Sequence, residues 1–191
     1  MGSSRWLALG VLLACGCGAR DPSAVDAGPA AIDAGAETFV ALNADIADYR
    51  SWRAMELPDG ETGQGTRYIY ANRLPPAGST RFPVGTILVK ESTVFSQASA
   101  VLQVDAMVKR GGGFNGGDGG ARGWEWMGLT PSDAGASIAW RGSVPPASAG
   151  YGPLLGQCNA CHLEAEANDD VQIPVDDGGR MAAAPLVLGG R

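Results

Sequence analysis

The chain is poor in histidine, in lysine and in long apolar runs. His162 is the one histidine in 191 residues, lysine occurs only at positions 90 and 109, and the formal net charge is −6. A zinc site needs several cysteine or histidine ligands, so the scarcity of histidine counts against one. Negative charge without clustered basic residues argues against a nucleic-acid partner. After residue 15 no stretch is long and apolar enough to cross a bilayer.

What the chain does have is one short, informative motif, Cys158-Asn159-Ala160-Cys161-His162. Cys-x-x-Cys-His is the attachment signature of c-type haem. The two thiols form thioether bonds with one porphyrin, and the adjacent imidazole ligates the iron. The sequence therefore predicts one covalent haem c, attached through Cys158 and Cys161, with His162 as the axial ligand.

Other interpretations of the motif are a redox Cys-x-x-Cys pair, half of a zinc site, a structural disulfide and a chance match. A redox pair is expected at the end of a strand in a βαβ unit, whereas residues 158–162 follow Gly/Pro-rich sequence late in the chain. The export signal described next supplies the compartment in which haem is attached to such motifs. Covalent haem is the interpretation that fits best.

The N-terminus has the layout of a bacterial lipoprotein signal. Arg5 precedes an apolar run over residues 7–14 that is too short to span a bilayer. Residues 12–15, Leu-Leu-Ala-Cys, resemble a lipobox, so we expect residues 1–14 to be a cleaved signal peptide and Cys15 to be lipidated. Ordinary signal cleavage near Ala19 is the alternative and would leave the protein without a lipid.

The composition after Cys15 predicts a tether followed by one folded domain. Residues 15–37 are mainly Ala, Gly, Pro and Asp, which is typical of a disordered segment. Residues 38–191 would form the haem domain. We expect a periplasmic protein that is attached to the membrane through its lipid alone. Gly16, rather than an acidic residue, follows the cysteine, which favours the outer membrane.

The remaining pattern predicts an α+β fold, an antiparallel β-sheet with an N-terminal helix and a C-terminal haem-bearing helix. Asn43 or Asp45 can cap a helix that runs to about Met55, and the haem-bearing helix is expected from Pro153 to about Glu166. Strands with connections too short for crossover helices are expected at 66–71, 85–91, 101–110, 122–129 and 137–141.

The residues around the motif predict an iron with an open second axial position. A second histidine ligand is impossible, and Met181 is the one methionine that follows the motif. The commonest small electron-transfer cytochromes have the reverse layout, with the motif early and the methionine downstream. An open position on haem favours ligand binding or catalysis over simple electron transfer.

Two cationic residues interrupt apolar strand faces. Lys90 shares its face with Leu88, and Arg67 shares its face with Ile69. One interpretation is that each is an ordinary strand residue whose charged end extends into water. The other is that each is a functional group. A desolvated lysine amine can act as a nucleophile or base, and a buried arginine can bind a haem propionate or a distal ligand.

Six blocks of the sequence, in their order and rough spacing, resemble the cytochrome P-460 family, which includes the cytochromes c′-β. The most specific is Phe-Pro-x-Gly-Thr-x-x-Val-Lys-Glu at residues 82–91. The resemblance covers about residues 43–175, and its other blocks are residues 49–52, 67–70, 107–110, 123–126 and 158–162.

The resemblance implies a homodimeric, periplasmic mono-haem protein with five-coordinate iron and a mainly antiparallel sheet. In cytochromes P-460 the lysine of the Val-Lys-Glu block is bonded to a meso carbon of the haem, and the enzyme oxidises hydroxylamine. The matching residue is Lys90, and Arg67 matches an arginine of the distal pocket. A redox partner cytochrome would accept the electrons.

Cytochromes c′-β keep this fold, line the distal side with phenylalanines and bind nitric oxide without that oxidation. Phe82 and Phe95 are the candidate wall residues. A distal carboxylate assists hydroxylamine oxidation in the family, but residues 151–157, just before the motif, contain no acid. Glu125 or Asp105 would replace it only where its strand faces the pocket. A plain electron-transfer cytochrome c is the other alternative.

Overall fold

The computed structural model describes residues 37–57, 67–96, 99–117, 119–149 and 158–173. They belong to a compact unit that spans Ile32–Arg191, and the unit Met1–Ala31 lies outside the described residues. The predicted signal peptide, the lipidation site Cys15 and nearly all of the predicted tether therefore lie outside the description as well.

Alternating apolar residues build six strands, each antiparallel to the next one along the chain. The sheet order is β1-β2-β3-β4-β5-β6. The strands are β1 (Arg53–Leu57), β2 (Arg67–Ala71), β3 (Ile87–Ser96), β4 (Ser99–Lys109), β5 (Trp124–Ser132) and β6 (Gly135–Gly142). The α-helices are α1 (Asn43–Ile46) and α2 (Cys158–His162). Short 3-10 helices cover Tyr49–Ser51, Ala147–Ala149 and Leu163–Asn168.

The sheet has two buried faces, and each is covered by a different part of the chain. The first, called the α1 face here, is covered by the segment around α1 in a cluster of Ala41, Ile46, Tyr49, Ile87, Val89, Val104, Ala106, Val108 and Met127. The second, called the motif face, holds a cluster of Ile69, Ala71, Leu88, Met107, Trp124, Trp126, Val171 and Ile173, with Cys158 packed against it. Because side chains alternate along a strand, adjacent residues of one strand serve different faces.

The predicted α+β fold with an antiparallel sheet is confirmed, but the N-terminal helix is much shorter than predicted. The helix was expected to reach Met55, yet α1 ends at Ile46 and Met55 is paired with Ile69 in the sheet. Ile46 and Tyr49 do bury one side of this segment, through α1 and the following 3-10 turn. From Arg53 onward, hydrogen bonding to β2 replaces the helix, so an edge strand that the sequence did not predict is gained.

The C-terminal helix was predicted over residues 153–166. Within the described residues α2 covers 158–162, and a 3-10 segment with a kink at Ala165 continues to Asn168. Residues 153–157 lie outside the description, and that this segment bears haem stays a prediction. None of the helices in the described ranges is long and apolar enough to cross a membrane.

Candidate functional site

The Cys-x-x-Cys-His motif occupies α2, and both of its cysteines carry free thiols. Cys158 is half-buried against the motif face, whereas Cys161 is exposed. Burial raises the pKa of Cys158, and the nearby charge of Asp105 adds to that effect. A reactive redox cysteine needs the opposite, a lowered pKa that favours the thiolate. The environment of Cys158 therefore does not favour the interpretation as a redox pair.

His162 is held by a single well-placed hydrogen bond to the main chain. Its Nδ1 lies 2.7 Å from the carbonyl oxygen of Asp170. Because a carbonyl can only accept, Nδ1 must carry the hydrogen, which leaves the lone pair of Nε2 available to a metal. Burial lowers the pKa of His162, so the neutral, metal-binding form is favoured near pH 7. The imidazole also packs on Trp126, with ring centroids 4.6 Å apart.

Lys90 lies on the same face as the motif. It is two residues beyond Leu88 on β3 and is paired with Ile69 on one side and Asp105 on the other. Its Nζ is 3.9 Å from Asp105 Oδ2, and its side chain is 46% exposed. Its positive charge contributes to the pKa values of both Cys158 and His162, which places all three groups in one electrostatic environment.

The desolvated lysine of the chain is not Lys90. Lys109, at the end of β4, has a side chain only 13% exposed, and burial lowers its pKa. Its Nζ donates to Asp169 Oδ1 at 2.7 Å. The alternation pattern could not distinguish these two lysines, because both lie on strands. How far each side chain is buried depends on the C-terminal segment that covers this face of the sheet.

Arg67 and Ser92 are cross-strand partners on the motif face and hold two unsatisfied polar atoms. Arg67 is two residues before Ile69 on β2, and Ser92 is two residues after Lys90 on β3. Arg67 Nε and Ser92 Oγ are buried and have no hydrogen-bond partner within the described structure. Ser92 is only 5% exposed. Buried donors are normally satisfied, so an acceptor group brought by a ligand would complete this pair.

The predicted distal residues are divided between the two faces. Phe82 is buried in the motif-face cluster, edge-on to Trp124 with ring centroids 5.7 Å apart. Asp105 is on the motif face beside Lys90. The side chain of Phe95 lies outside the described residues.

Glu125 lies on the face of the sheet opposite the motif, a placement that does not favour the predicted distal role, which stays a prediction. Its neighbours Trp124 and Trp126 face the motif, so Glu125 points to the α1 face. There it is 2% exposed and ion-paired to Arg141 and Arg110, and the Nη1 of Arg141 donates to Ala41 O at 2.8 Å. The acidic group close to Lys90 is Asp105.

Sequence reasoning missed the residues that fix the motif in place. Asn159 Oδ1 accepts hydrogen bonds from Trp126 Nε1 and from Asn115 Nδ2, each at 2.7 Å. This joins α2 to β5 and to the glycine-rich connector between β4 and β5, residues 110–123. The connector folds closely on itself, because a Cβ at Gly120 would lie 2.2 Å from Asn115 O. The sequence feature that could have indicated this role is the polar residue Asn159 between the two cysteines of the motif.

An open depression of about 390 Å³ lies next to this site, between the strand ends and β6. Val94, Gln103, Asp105, Gly128 and Trp140 are among the residues that line it. A Cβ on Gly128 would lie 2.0 Å from Trp140 Nε1, so a larger residue here would displace the indole. The depression extends the motif face beyond the row that holds Lys90 and Asp105.

Comparison of the chain with protein-family models, with curated proteins and with solved structures finds no match. Within the described ranges, no three or more His, Cys, Asp or Glu side chains come together to hold a metal ion. The interpretation of the site therefore rests on its own residues.

Proposed function

We propose that the chain is an exported, lipid-anchored c-type haem protein of the cytochrome P-460 kind. One haem would be bonded to Cys158 and Cys161, with His162 on the iron and the opposite position open. The observation that carries the proposal is the Nδ1 contact of His162 with Asp170 O, which leaves Nε2 free on a helix that also presents two free thiols.

The residues of the motif face fit a haem in two further ways. The apolar cluster that includes Leu88, Met107 and Trp126 packs against Cys158, so a haem bonded to that cysteine would have apolar neighbours. Arg67 Nε and Ser92 Oγ are buried donors without an acceptor among the described residues, and a propionate is an acceptor with negative charge. When bound, the haem would supply a redox-active iron with a vacant coordination position.

The enzymatic form of the proposal is hydroxylamine oxidation, with electrons passed to a partner cytochrome. Lys90 would be the residue bonded to the haem, since it shares the face and the electrostatic environment of Cys158 and His162. Asp105 Oδ2 lies 3.9 Å from the Lys90 Nζ and would supply a carboxylate base toward a substrate bound beside Lys90.

A second candidate function is a cytochrome c′-β-like binder of nitric oxide without turnover. Two observations favour it. Lys90 is half-exposed, and its amine is ion-paired with Asp105 and so is engaged by a carboxylate. Phe82 is a buried aromatic residue on the motif face, as a phenylalanine-lined pocket requires.

Haem attachment is tested by expressing the chain with a cytochrome c maturation system. The expected result is one haem that survives denaturing electrophoresis and acid acetone. A Cys158→Ser/Cys161→Ser double variant is the matched control and should be colourless. Wild-type protein that carries no covalent haem would overturn the proposal.

The two functions are separated by digesting the loaded protein and weighing its haem peptides. A peptide that joins residues 158–162 to Lys90, together with hydroxylamine turnover, would identify the enzyme. Lys90→Arg keeps the charge and cannot form the same bond, so it should show an ordinary haem c spectrum and no turnover. An ordinary spectrum in the wild type, with tight nitric oxide binding, would identify the gas binder. A low-spin, six-coordinate spectrum would instead indicate an electron carrier.

A further inference from the structure

We infer that Lys109 and Asp169 are positioning residues for His162, because their ion pair holds the turn whose carbonyl orients the imidazole. The inference rests on the proposed role of His162 as a haem ligand. It extends that proposal, because it names residues outside the motif that would influence the iron through its histidine ligand.

The turn at Asp169 and Asp170 is an unfavourable backbone conformation. Both residues have positive φ, 56° and 63°, although neither is glycine. Such φ values are uncommon for residues that carry a Cβ and must be held by their surroundings. The amides of Asp169 and Asp170 donate to Glu166 O and Ala165 O, at 3.1 and 3.0 Å. This geometry is what brings Asp170 O to within 2.7 Å of His162 Nδ1.

The Asp169 side chain anchors this turn to the rest of the fold. It is 3% exposed, and its Oδ1 accepts from Lys109 Nζ at 2.7 Å and from Arg81 Nη1 at 3.2 Å. Its Oδ2 accepts from the amide of Phe82 at 3.0 Å, and its carbonyl accepts from Trp124 Nε1 at 2.7 Å. A residue tied at this many points has little freedom to rotate.

Lys109 is the partner of Asp169 that is held most firmly by the sheet. It is the last residue of β4, and its ammonium lies 4.8 Å from the centre of the Trp124 ring. The same Nζ donates to Arg122 O at 3.1 Å. Arg81, the other cation on Asp169, is largely exposed and so holds the carboxylate less firmly. The path from sheet to ligand therefore runs from Lys109 through Asp169 and Asp170 to His162.

The chemical consequence lies in the strength of the Nδ1–H···O bond. A hydrogen bond from the distal nitrogen of a ligating histidine fixes its tautomer and raises its basicity toward the metal. A stronger bond stabilises the ferric state and lowers the reduction potential. Loosening the turn should weaken the bond and move the potential in the positive direction.

The variant Lys109→Met removes the charge and keeps most of the side-chain volume, and Lys109→Arg tests rescue. Arg141→Met is the matched control. It breaks one of the two ion pairs of another buried carboxylate, Glu125, on the opposite face, and Arg110 remains as the second partner. In the same way, Lys109→Met removes one partner of Asp169 and leaves Arg81. The two variants should lose similar stability.

The readout is measured on the haem-loaded protein. In Lys109→Met the iron–histidine stretching band of the ferrous form should move to lower frequency, and the midpoint potential should become more positive. Lys109→Arg should restore both, and Arg141→Met should change neither. Unchanged band and potential in Lys109→Met, beside a stability loss like that of Arg141→Met, would overturn the inference.

A second readout uses the haem-free chain, so the proposed function can fail separately. His162 is the one histidine in the chain, so its nitrogen resonances are unambiguous. Wild type should show the hydrogen on Nδ1, and Lys109→Met should shift the population toward Nε2–H. An unshifted tautomer would overturn the inference, whether or not haem is attached. If Lys109→Met does not fold, Asp169→Asn, which keeps the side-chain shape, is judged by the same two readouts.

Discussion

Glu91 shows at the scale of one residue what the sequence could not convey. It follows Lys90 directly, yet its carboxylate is buried on the α1 face, where it accepts hydrogen bonds from Tyr49, from Arg50 Nε at 2.8 Å and from Tyr70 at 3.2 Å. A Val-Lys-Glu block therefore serves two faces, with Lys90 toward the motif and Glu91 in a separate polar cluster.

The phenol of Tyr49 should make stability sensitive to alkaline pH. Burial, the hydrogen bond to Glu91 and the charge of that carboxylate raise the pKa of Tyr49. Since the folded pKa lies above the unfolded value of about 10, the stabilisation is complete below about pH 10 and is lost as pH rises further. Tyr49→Phe should lower the free energy of unfolding at pH 7 by about 1–2 kcal/mol and flatten its decline above pH 10.

Urea titrations between pH 8 and 11 measure that difference. Tyr68→Phe is the control, because Tyr68 is exposed, and it should leave both the stability and its pH dependence as in wild type. An equally steep alkaline decline in Tyr49→Phe would contradict the assignment.

Ser92 gives a prediction whose sign depends on haem. In the haem-free chain Ser92→Ala removes a buried hydroxyl that has no hydrogen-bond partner in the described part of the chain, and it should raise the free energy of unfolding by about 1 kcal/mol. In the haem-loaded protein the same change removes a donor to the proposed propionate and should lower stability by a similar amount. Ser132 is exposed, so the control Ser132→Ala should leave the free energy of unfolding unchanged in both forms. A stability change of the same sign in the haem-free and the haem-loaded protein would count against a propionate at this position.

At the scale of elements, alternation predicted the strands well and the helices poorly. Strands β2 to β6 occur near their predicted positions, because alternate residues such as Val104, Ala106 and Val108 pack on one face. The helix from residue 43 failed because α1 has four residues, and β1 gains hydrogen bonds by pairing with β2. Which way Glu125 points depends on where β5 starts and on its register with β4, and neither can be read from composition.

The contact between β5 and β6 at Gly128 should not tolerate a larger side chain. A Cβ there would lie 2.0 Å from the indole nitrogen of Trp140. Gly128→Ala should therefore lower the free energy of unfolding by about 1–3 kcal/mol, through displacement of the indole. Gly117→Ala is the control, because a Cβ at Gly117 meets nothing within 4 Å. Thermal unfolding of the two variants measures the difference, and equal melting temperatures would show that Trp140 moves without cost.

At the scale of the whole molecule, the sequence predicted the candidate site in part. The Cys-x-x-Cys-His motif could be named from its residue types, and Lys90 and Arg67 could be named because the face of a strand residue can be inferred from the alternation along that strand. Asp170 could not, because it contributes a main-chain carbonyl and any residue has one. Asp169 could not, because its partner Lys109 is 60 residues earlier in the chain and the contact exists only after the sheet has formed.

The proposed location is tested on the full chain. Cys15 should be acylated, so metabolic labelling with a fatty-acid analogue should mark the wild type and leave Cys15→Ser unmarked. The wild type should fractionate with membranes and the variant with soluble periplasmic protein. Unlabelled, soluble wild type would show that residues 1–14 are an ordinary cleaved signal.

The simple strand order has a consequence for the timing of assembly. Each strand of the described sheet pairs with its neighbour in sequence, so its contacts are local and the sheet can form quickly, hairpin by hairpin. The motif at residues 158–162 follows all six strands. If the proposed export delivers the chain N-terminus first, the six strands can pair before Cys158 and Cys161 emerge. The maturation machinery would then meet a short segment beside a sheet that is already hydrogen-bonded, and would not have to hold a whole unfolded chain.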